Sequence, residues 1–201
     1  IKQAKNSKYV DSVVVSTDDK EIAAIARQLG GSVPFLRPSE LAKDSTPTYD
    51  VLADLVKKST EEYDILVLLE PTSPLRKKDD IDTALKQLID NYEKYDSVVS
   101  VGKVHMENPH ICKLIEKNKV VPLIKTNKNI TQRQELKDVY FPYGVIYASK
   151  LKKLMATQSF YQKKTMPYFI ERWQNYEIDD IYDFICIESI MKEKLKKTSF
   201  K

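Results

Sequence analysis

A chain of 201 residues with 42% hydrophobic content can bury one sizeable core and is short for two comfortable domains. Charged residues make up 31%, both signs are mixed and the net charge of +4 is mild, which fits an enzyme handling anions better than a dedicated nucleic-acid binder with its concentrated basic face. Two cysteines without a CxxC, Cys112 and Cys186, point to a reducing compartment; no apolar run reaches membrane-span length and no signal peptide is visible, so a cytoplasmic protein with no membrane partner is expected.

In chain order, Ile1 to Lys8 reads as the tail of a helix. The β-branched run Val13 to Val15 predicts a strand, and Asp18 with Glu21 has the form of a capping box for a helix presenting Ile22, Ile25, Ala26 and Leu29 on one side. Gly30 or Gly31 ends it. Ser32 to Leu36 predicts a second strand, followed by a polar loop and a helix from Tyr49 to Lys58. Ile65 to Leu69 is a short apolar run suited to the centre of a parallel sheet. Pro71 and Pro74 stop it in a stiff polar loop, the place where open α/β sheets bind ligands.

Asp79 and Asp80 open an amphipathic helix carrying Ile81, Ala84, Leu85, Leu88, Ile89 and Tyr92. Ser97 to Val101 predicts another strand. From His105 to Val139 the periodicity breaks into short apolar pieces, as in an excursion bearing a hairpin. Strand character returns over Val139 to Ala148, interrupted by Gly144, as where a strand bulges or a ligand meets the backbone. A short helix (Lys150 to Met155), a strand (Thr165 to Ile170) and a last helix with Ile181, Phe184, Ile185, Met191 and Leu195 on one side complete the chain. The alternation of strand and helix predicts an α/β fold, doubly wound around a mostly parallel sheet, as a single domain over 1–201.

Two groups of polar residues are candidates for chemistry. Arg37, beside a proline, presents planar donors suited to carbonyl, carboxylate or phosphate oxygens. Near the end, Glu177, Asp179, Asp180 and Asp183 are dense in acid. Glu177 and Asp179 point the same way if extended, a pattern that suits a hard cation such as Mg²⁺ as well as it suits a helix start. The four glycines, Gly30, Gly31, Gly102 and Gly144, supply neither a GxGxxG nor a GxxxxGK.

Three motifs then occur in a fixed order: Val-Val-Val-Ser-Thr-Asp-Asp (13–19), Pro-Phe-Leu-Arg-Pro-Ser-Glu-Leu-Ala-Lys-Asp (34–44) and Leu-Glu-Pro-Thr-Ser-Pro-Leu-Arg (69–76). Tyr-Gly-Val-Ile-Tyr (143–147) and Glu-Ile-Asp-Asp (177–180) follow. Together they resemble the acylneuraminate cytidylyltransferases, the CMP-sialic acid synthetases, with their relatives for legionaminic, pseudaminic and Kdo-type sugars. The resemblance implies a nucleotide-diphospho-sugar transferase-like, Rossmann-like fold and transfer of CMP from CTP to a nonulosonic sugar acid, with pyrophosphate released and Mg²⁺ as cofactor. It implies nucleotide contacts at Arg37, Asp44 and Thr46, with Arg37 and Asp179 as catalytic residues. Sugar contacts fall at Glu70, Arg133 and Tyr147, and metal carboxylates at Asp179 and Glu177. It also implies a homodimer, with the excursion at 105–139 as the contact and Arg133 reaching across it.

The chain departs from that pattern in four places. Glu70 stands where the family has a neutral amide, which disfavours sialic acid itself and favours a modified nonulosonic acid. Glu177 replaces an aspartate, and Tyr143 an asparagine. The basic, glycine-containing loop that holds the triphosphate in the family has no counterpart in these 201 residues; a strand–loop–helix opening of that kind is of order 30 residues. The expectation is that this chain alone does not turn over CTP. The alternatives are a Kdo-type cytidylyltransferase and a non-catalytic relative that binds sugar or nucleotide.

Overall fold

The computed structural model describes residues 1–124 and 136–198, with 195–198 described by backbone alone. Six α-helices are present among them: α1 (Lys2–Lys5), α2 (Lys20–Gln28), α3 (Thr48–Lys58), α4 (Asp80–Asp90), α5 (Leu151–Thr157) and α6 (Ile181–Thr198). The strands are β1 (Ile65–Leu68), β2 (Ser97–Lys103), β3 (Lys113–Glu116), β4 (Lys119–Pro122), β5 (Tyr140–Lys150) and β6 (Thr165–Phe169). The main sheet has the order β1-β5-β2-β6. β5 runs antiparallel to both its neighbours, and β6 is parallel to β2.

Three of the four strands therefore share one direction, with β5 reversed between β1 and β2. The expected α/β architecture holds, in a mixed sheet. β1 differs from the expectation of a central strand: among the described residues it pairs with β5 alone and is only half-buried. Val13–Val15 and Ser32–Leu36 differ too. They make a single parallel bridge, Val14 opposite Ser32, held by Val15 N–H donating to the Ser32 carbonyl at 2.8 Å.

The core forms where α4 crosses β2 and β5. Ile81, Ala84, Leu85 and Leu88 meet Val98, Ile146, Ala148 and Tyr168. Each aliphatic side chain buried there contributes roughly 1.5–3 kcal/mol relative to exposure. Side chains alternate along a strand, so Val99 and Tyr147, paired across β2 and β5, face the other way. On that second face Tyr147 shares a cavity with Leu52 of α3 and Leu154 of α5. Helices thus cover both faces of the sheet, as a doubly wound fold requires.

Three helix readings are corrected. The N-cap of α2 is Asp19, whose carboxylate accepts Ile22 N–H at 2.8 Å; Asp18 instead pairs with Arg37 at 3.2 Å. Ala23 and Ala26 are the buried face of α2, while Ile22, Ile25 and Leu29 are exposed. The two alanines pack in a small cluster with Val33, against Ile1 and Val15. In α6 Ile187 is buried, whereas Ile181, Phe184, Ile185 and Met191 are exposed; the Leu195 side chain lies outside the described residues. The excursion carries the expected hairpin, β3 paired with β4, turned by Lys117 and Asn118 with φ of 48° and 63°. Positive φ at both central residues is the turn that matches strand twist.

A buried carboxylate ties the loop after β1 to the segment before α6. Asp80 is fully buried. It accepts Tyr168 O–H at 2.6 Å, Gln174 Nε2–H at 2.7 Å and Lys77 N–H at 2.6 Å. Gln174 also donates to the Leu75 carbonyl at 3.1 Å. Removing the carboxylate leaves those donors buried without an acceptor, so Asp80→Ala is expected to cost on the order of 2–4 kcal/mol, and Tyr168→Phe about 1 kcal/mol. Urea unfolding curves check both; an Asp80→Ala loss no larger than that of Tyr168→Phe would contradict the hub.

Candidate active site

β5 is built to project its backbone toward the loop after β1. Val99 of β2 stands opposite Tyr147, but Val101 stands opposite Pro142. Two steps along β2 (99 to 101) are thus matched by five along β5 (142 to 147), so β5 bulges over residues 143–146 opposite Ser100. Bulges re-aim groups out of the ladder, and here the re-aimed group is Gly144. Its N–H donates to Glu177 Oε1 at 2.6 Å, and its carbonyl accepts Glu70 N–H at 3.2 Å.

Glu177 is held a second time by the Ser73 hydroxyl, which donates to the same oxygen at 2.6 Å. Ile178 N–H donates to the Thr72 carbonyl at 2.9 Å. The Pro-Thr-Ser-Pro loop and the acidic segment before α6 are therefore joined side by side. Glu70 lies directly over Gly144: a Cβ there would fall 2.4 Å from Glu70 Oε2 and 2.6 Å from its Cβ. The glycine is required by this approach. Burial, and after it the neighbouring Glu177 carboxylate, pushes Glu70 above the ordinary carboxylate range.

Next to Glu70 opens a cavity of about 250 Å³ lined by Leu52, Leu68, Glu70, Tyr147, Phe160 and Tyr161. One wall is aromatic: Tyr147 packs against Phe160 and Tyr161 with centroids 5.7 and 6.4 Å away. Burial pushes the Tyr147 phenol well above its ordinary value, so both tyrosines offer neutral hydroxyls at neutral pH. A carboxylate acceptor, phenolic hydroxyls and an apolar floor suit a small molecule carrying both O–H or N–H donors and methyl-sized groups.

A family model for cytidylyltransferase matches residues 1–198. The chain belongs to the cytidylyltransferase family. It is 32% identical over 196 residues to post-translational flagellin modification protein B of Campylobacter coli, covering 96% of this chain and 82% of that protein. It is also 32% identical over 195 residues to the CMP-N,N'-diacetyllegionaminic acid synthase of Legionella pneumophila, covering 94% and 82%. A solved CMP:2-keto-3-deoxy-manno-octonic acid synthetase, complexed with CTP, superposes with a TM-score of 0.65 at 15% identity, covering 96% of this chain and 85% of that one. That last likeness is one of fold.

In this cytidylyltransferase chain, the structure gathers the sequence candidates unevenly. Glu70 and Tyr147 line one cavity, and Glu177 adjoins it through Gly144. Asp179 follows Glu177 and is exposed; its N–H donates to Asp183 Oδ2 at 3.1 Å. Arg37, Asp44 and Thr46 lie on the separate loop that leads into α3. There Arg37 pairs with Asp18, Asp44 is exposed, and the Thr46 hydroxyl reaches the Glu40 carbonyl at 3.4 Å. Thr48 and Tyr49, at the start of α3, line the same cavity as Glu70. Arg133 lies outside the described residues. Phe160, Tyr161, Ser73, Arg76 and Ser100 carry the site without having been singled out from sequence. Arg76 and Ser73 stood inside the third motif, and Ser100 was a polar residue in a valine-rich strand.

Glu70 also makes stability depend on pH. Its folded-state pKa is raised, so the stability it contributes is greatest at low pH and is lost as pH rises through that value. Glu70→Gln removes the loss. In metal-free buffer at pH 7 the substituted protein is expected to melt about 1–3 °C higher. The difference should close as pH falls toward the unfolded-state value of about 4.3. A difference that is constant with pH in thermal scans would contradict this.

Proposed function

We propose that the protein transfers CMP from CTP to a nonulosonic sugar acid and releases pyrophosphate, and that the sugar acid is a modified one such as a diacetamido form. The observation that carries this reading is the meeting of three distant stretches in a chain of the cytidylyltransferase family: Glu70 and Tyr147 line one cavity, and Glu177 is held beside Glu70 by Gly144. The sugar's anomeric hydroxyl oxygen bonds to the α-phosphorus of CTP while the bond from that phosphorus to the bridging oxygen breaks. Pyrophosphate carries away the electron pair, and the hydroxyl proton goes to solvent or base. Such a transfer depends on alignment and on neutralising phosphate charge.

The cavity residues perform the alignment. Glu70 accepts a hydrogen bond from an O–H or N–H of the sugar, Tyr147 and Tyr161 present neutral hydroxyls, and Leu52, Leu68 and Phe160 accommodate an acyl methyl. A carboxylate at position 70 repels a substrate carboxylate, so the sugar's own acid group is directed away from it; Arg133 is the residue assigned to that acid group. Arg37, Asp44 and Thr46 are assigned to the nucleotide, and Arg37 is freed for it by opening its exposed pair with Asp18, a contact worth little in water.

Glu177 and Asp179 are the proposed Mg²⁺ carboxylates. Among the described residues no cluster of three or more His, Cys, Asp or Glu side chains could hold a metal. Two carboxylates fit the habit of Mg²⁺, which keeps waters and binds one or two protein carboxylates plus substrate phosphates. Glu177 is held in place by Gly144 and Ser73 through Oε1, and Glu177 with exposed Asp179 would be the residues to hold the ion. When bound, the ion supplies positive charge to the triphosphate.

We also place the reaction in the cytoplasm, with the product serving cell-surface polysaccharide synthesis, and infer a homodimer formed through the excursion at 105–139. Its exposed apolar side chains, among them Leu114, Ile115, Val120 and Leu123, support that contact.

The test is product analysis with the full-length gene product, CTP, Mg²⁺ and a panel of sugar acids. A mass matching CMP-N,N'-diacetyllegionaminic acid is expected, with a weaker signal from N-acetylneuraminic acid. Glu70→Gln should shift the preference toward N-acetylneuraminic acid, and Asp179→Asn should lower kcat about 100-fold or more with loss of Mg²⁺ dependence. Product only from a Kdo-type acid, or binding without any transfer, would overturn the reading. Unchanged Mg²⁺ dependence in Asp179→Asn would remove the metal assignment.

A further inference from the structure

The bulge in β5 leaves backbone groups that the ladder with β2 does not pair, and two side chains satisfy them from opposite sides. Ser100 is fully buried. Its hydroxyl accepts Ile146 N–H at 2.9 Å and lies within hydrogen-bond distance of the Ile146 carbonyl, at 2.9 Å, and of the Tyr143 carbonyl. A hydroxyl both donates and accepts, so this one group closes both ends of the bulge. Alanine would close neither.

On the other side stands Arg76. Its Nε–H donates to the Val145 carbonyl at 2.5 Å, and its Nη2–H reaches the carbonyls of Gly144 at 3.2 Å and Glu70 at 3.4 Å. Its own carbonyl accepts from Gln3 Nε2–H at 2.8 Å. A planar fork with several fixed donors can gather carbonyls from two separate segments, which a lysine ammonium does with less geometric control. Burial lowers the Arg76 pKa, so keeping a cation here carries a desolvation cost.

We propose that Ser100 and Arg76 are positioning residues for the sugar-acid site: together they hold the β5 bulge so that Gly144 offers its N–H to Glu177 and its bare Cα to Glu70. This rests on the reading of the cavity as the sugar site. Arg76 grips the Glu70 and Gly144 carbonyls directly, whereas Ser100 acts on the residues flanking Gly144, through Tyr143 and Ile146. The spacing of the two carboxylates depends on one residue, Gly144, being held in place through the two peptide units that flank its Cα. Glu177 is fixed by Gly144 N–H, and Glu70 is fixed by the Gly144 carbonyl through its own N–H. If the bulge relaxed toward a regular strand, Gly144 would turn back into the ladder and both acids would lose their common support. The nucleotide-side loop at Arg37, Asp44 and Thr46 is attached elsewhere and would be left in place.

The experiment compares Ser100→Ala and Arg76→Lys with the unsubstituted full-length gene product. The probes are CTP and N,N'-diacetyllegionaminic acid. The proposal expects KM for the sugar acid to rise about fivefold or more while KM for CTP stays within about twofold. Hydrogen exchange should show the Gly144 amide opening about tenfold faster, while the amides of Leu85 and Leu88 in α4 keep their rates. A Gly144 amide that is unchanged, or that speeds up only in step with Leu85 and Leu88, overturns the proposal. So does an equal rise in both KM values. If Arg76→Lys does not fold, Ser100→Ala decides, since it removes one oxygen and adds no bulk. If the unsubstituted protein makes no CMP-sugar from this acid, the functional reading fails, and the exchange rates still decide whether Ser100 and Arg76 hold the bulge.

Discussion

The hydrogen bond from Gly144 N–H to Glu177 Oε1, at 2.6 Å, joins parts of the chain that share no secondary structure. It connects a bulge in β5 to the acidic segment before α6, and Ser73 brings in the loop after β1 through the same oxygen. A charge-assisted bond of this length is roughly twice as strong as a neutral one, and it forms only because β5 departs from regular pairing opposite Ser100. Without the bulge, Gly144 would spend its N–H on the ladder. With it, three segments separated by more than thirty residues each meet at one carboxylate oxygen, Glu177 Oε1.

The same contact explains why two acids stand close together. Glu70 needs Gly144 to be bare, since any side chain would strike its carboxylate. Glu177 needs the Gly144 N–H. The common support brings the two charges near enough that Glu177 adds to the burial that raises Glu70. Such paired acids tend to mark functional sites. Around them the fold is conventional: α4 buries one face of the sheet, and α3 and α5 cover the other. The Asp80 hub, through Gln174, fixes the segment that carries Glu177.

Much of this was legible in the sequence. The helix over Asp80–Asp90 followed from its spacing, and the stiff loop after Leu68 from its prolines. The interruption at Gly144 marked a real bulge. The motif order identified the family that the chain's match over 1–198 shows. What was not legible was pairing. Ile65–Leu69 reads as a buried central strand because its residues are apolar on both sides. The structure half-buries it beside a reversed strand, since apolarity reports burial and says nothing of direction. The stripe read on α2 was right in Ala26, which is buried, and wrong in Ile22, Ile25 and Leu29, which are exposed; the periodicity gave the helix but favoured the larger apolar residues over Ala23. Ser100 and Arg76 act on backbone groups of a bulge, and no local periodicity encodes a bulge.

The most direct measurement is a crystal structure of the full-length gene product with its CMP-sugar bound. The account predicts the sugar in the cavity bounded by Leu52, Tyr147 and Phe160, with one of its O–H or N–H groups about 3 Å from the Glu70 carboxylate. It also predicts Gly144 N–H still bonded to Glu177. A sugar bound elsewhere, with Glu70 turned to solvent and Gly144 returned to the β2 ladder, would contradict it.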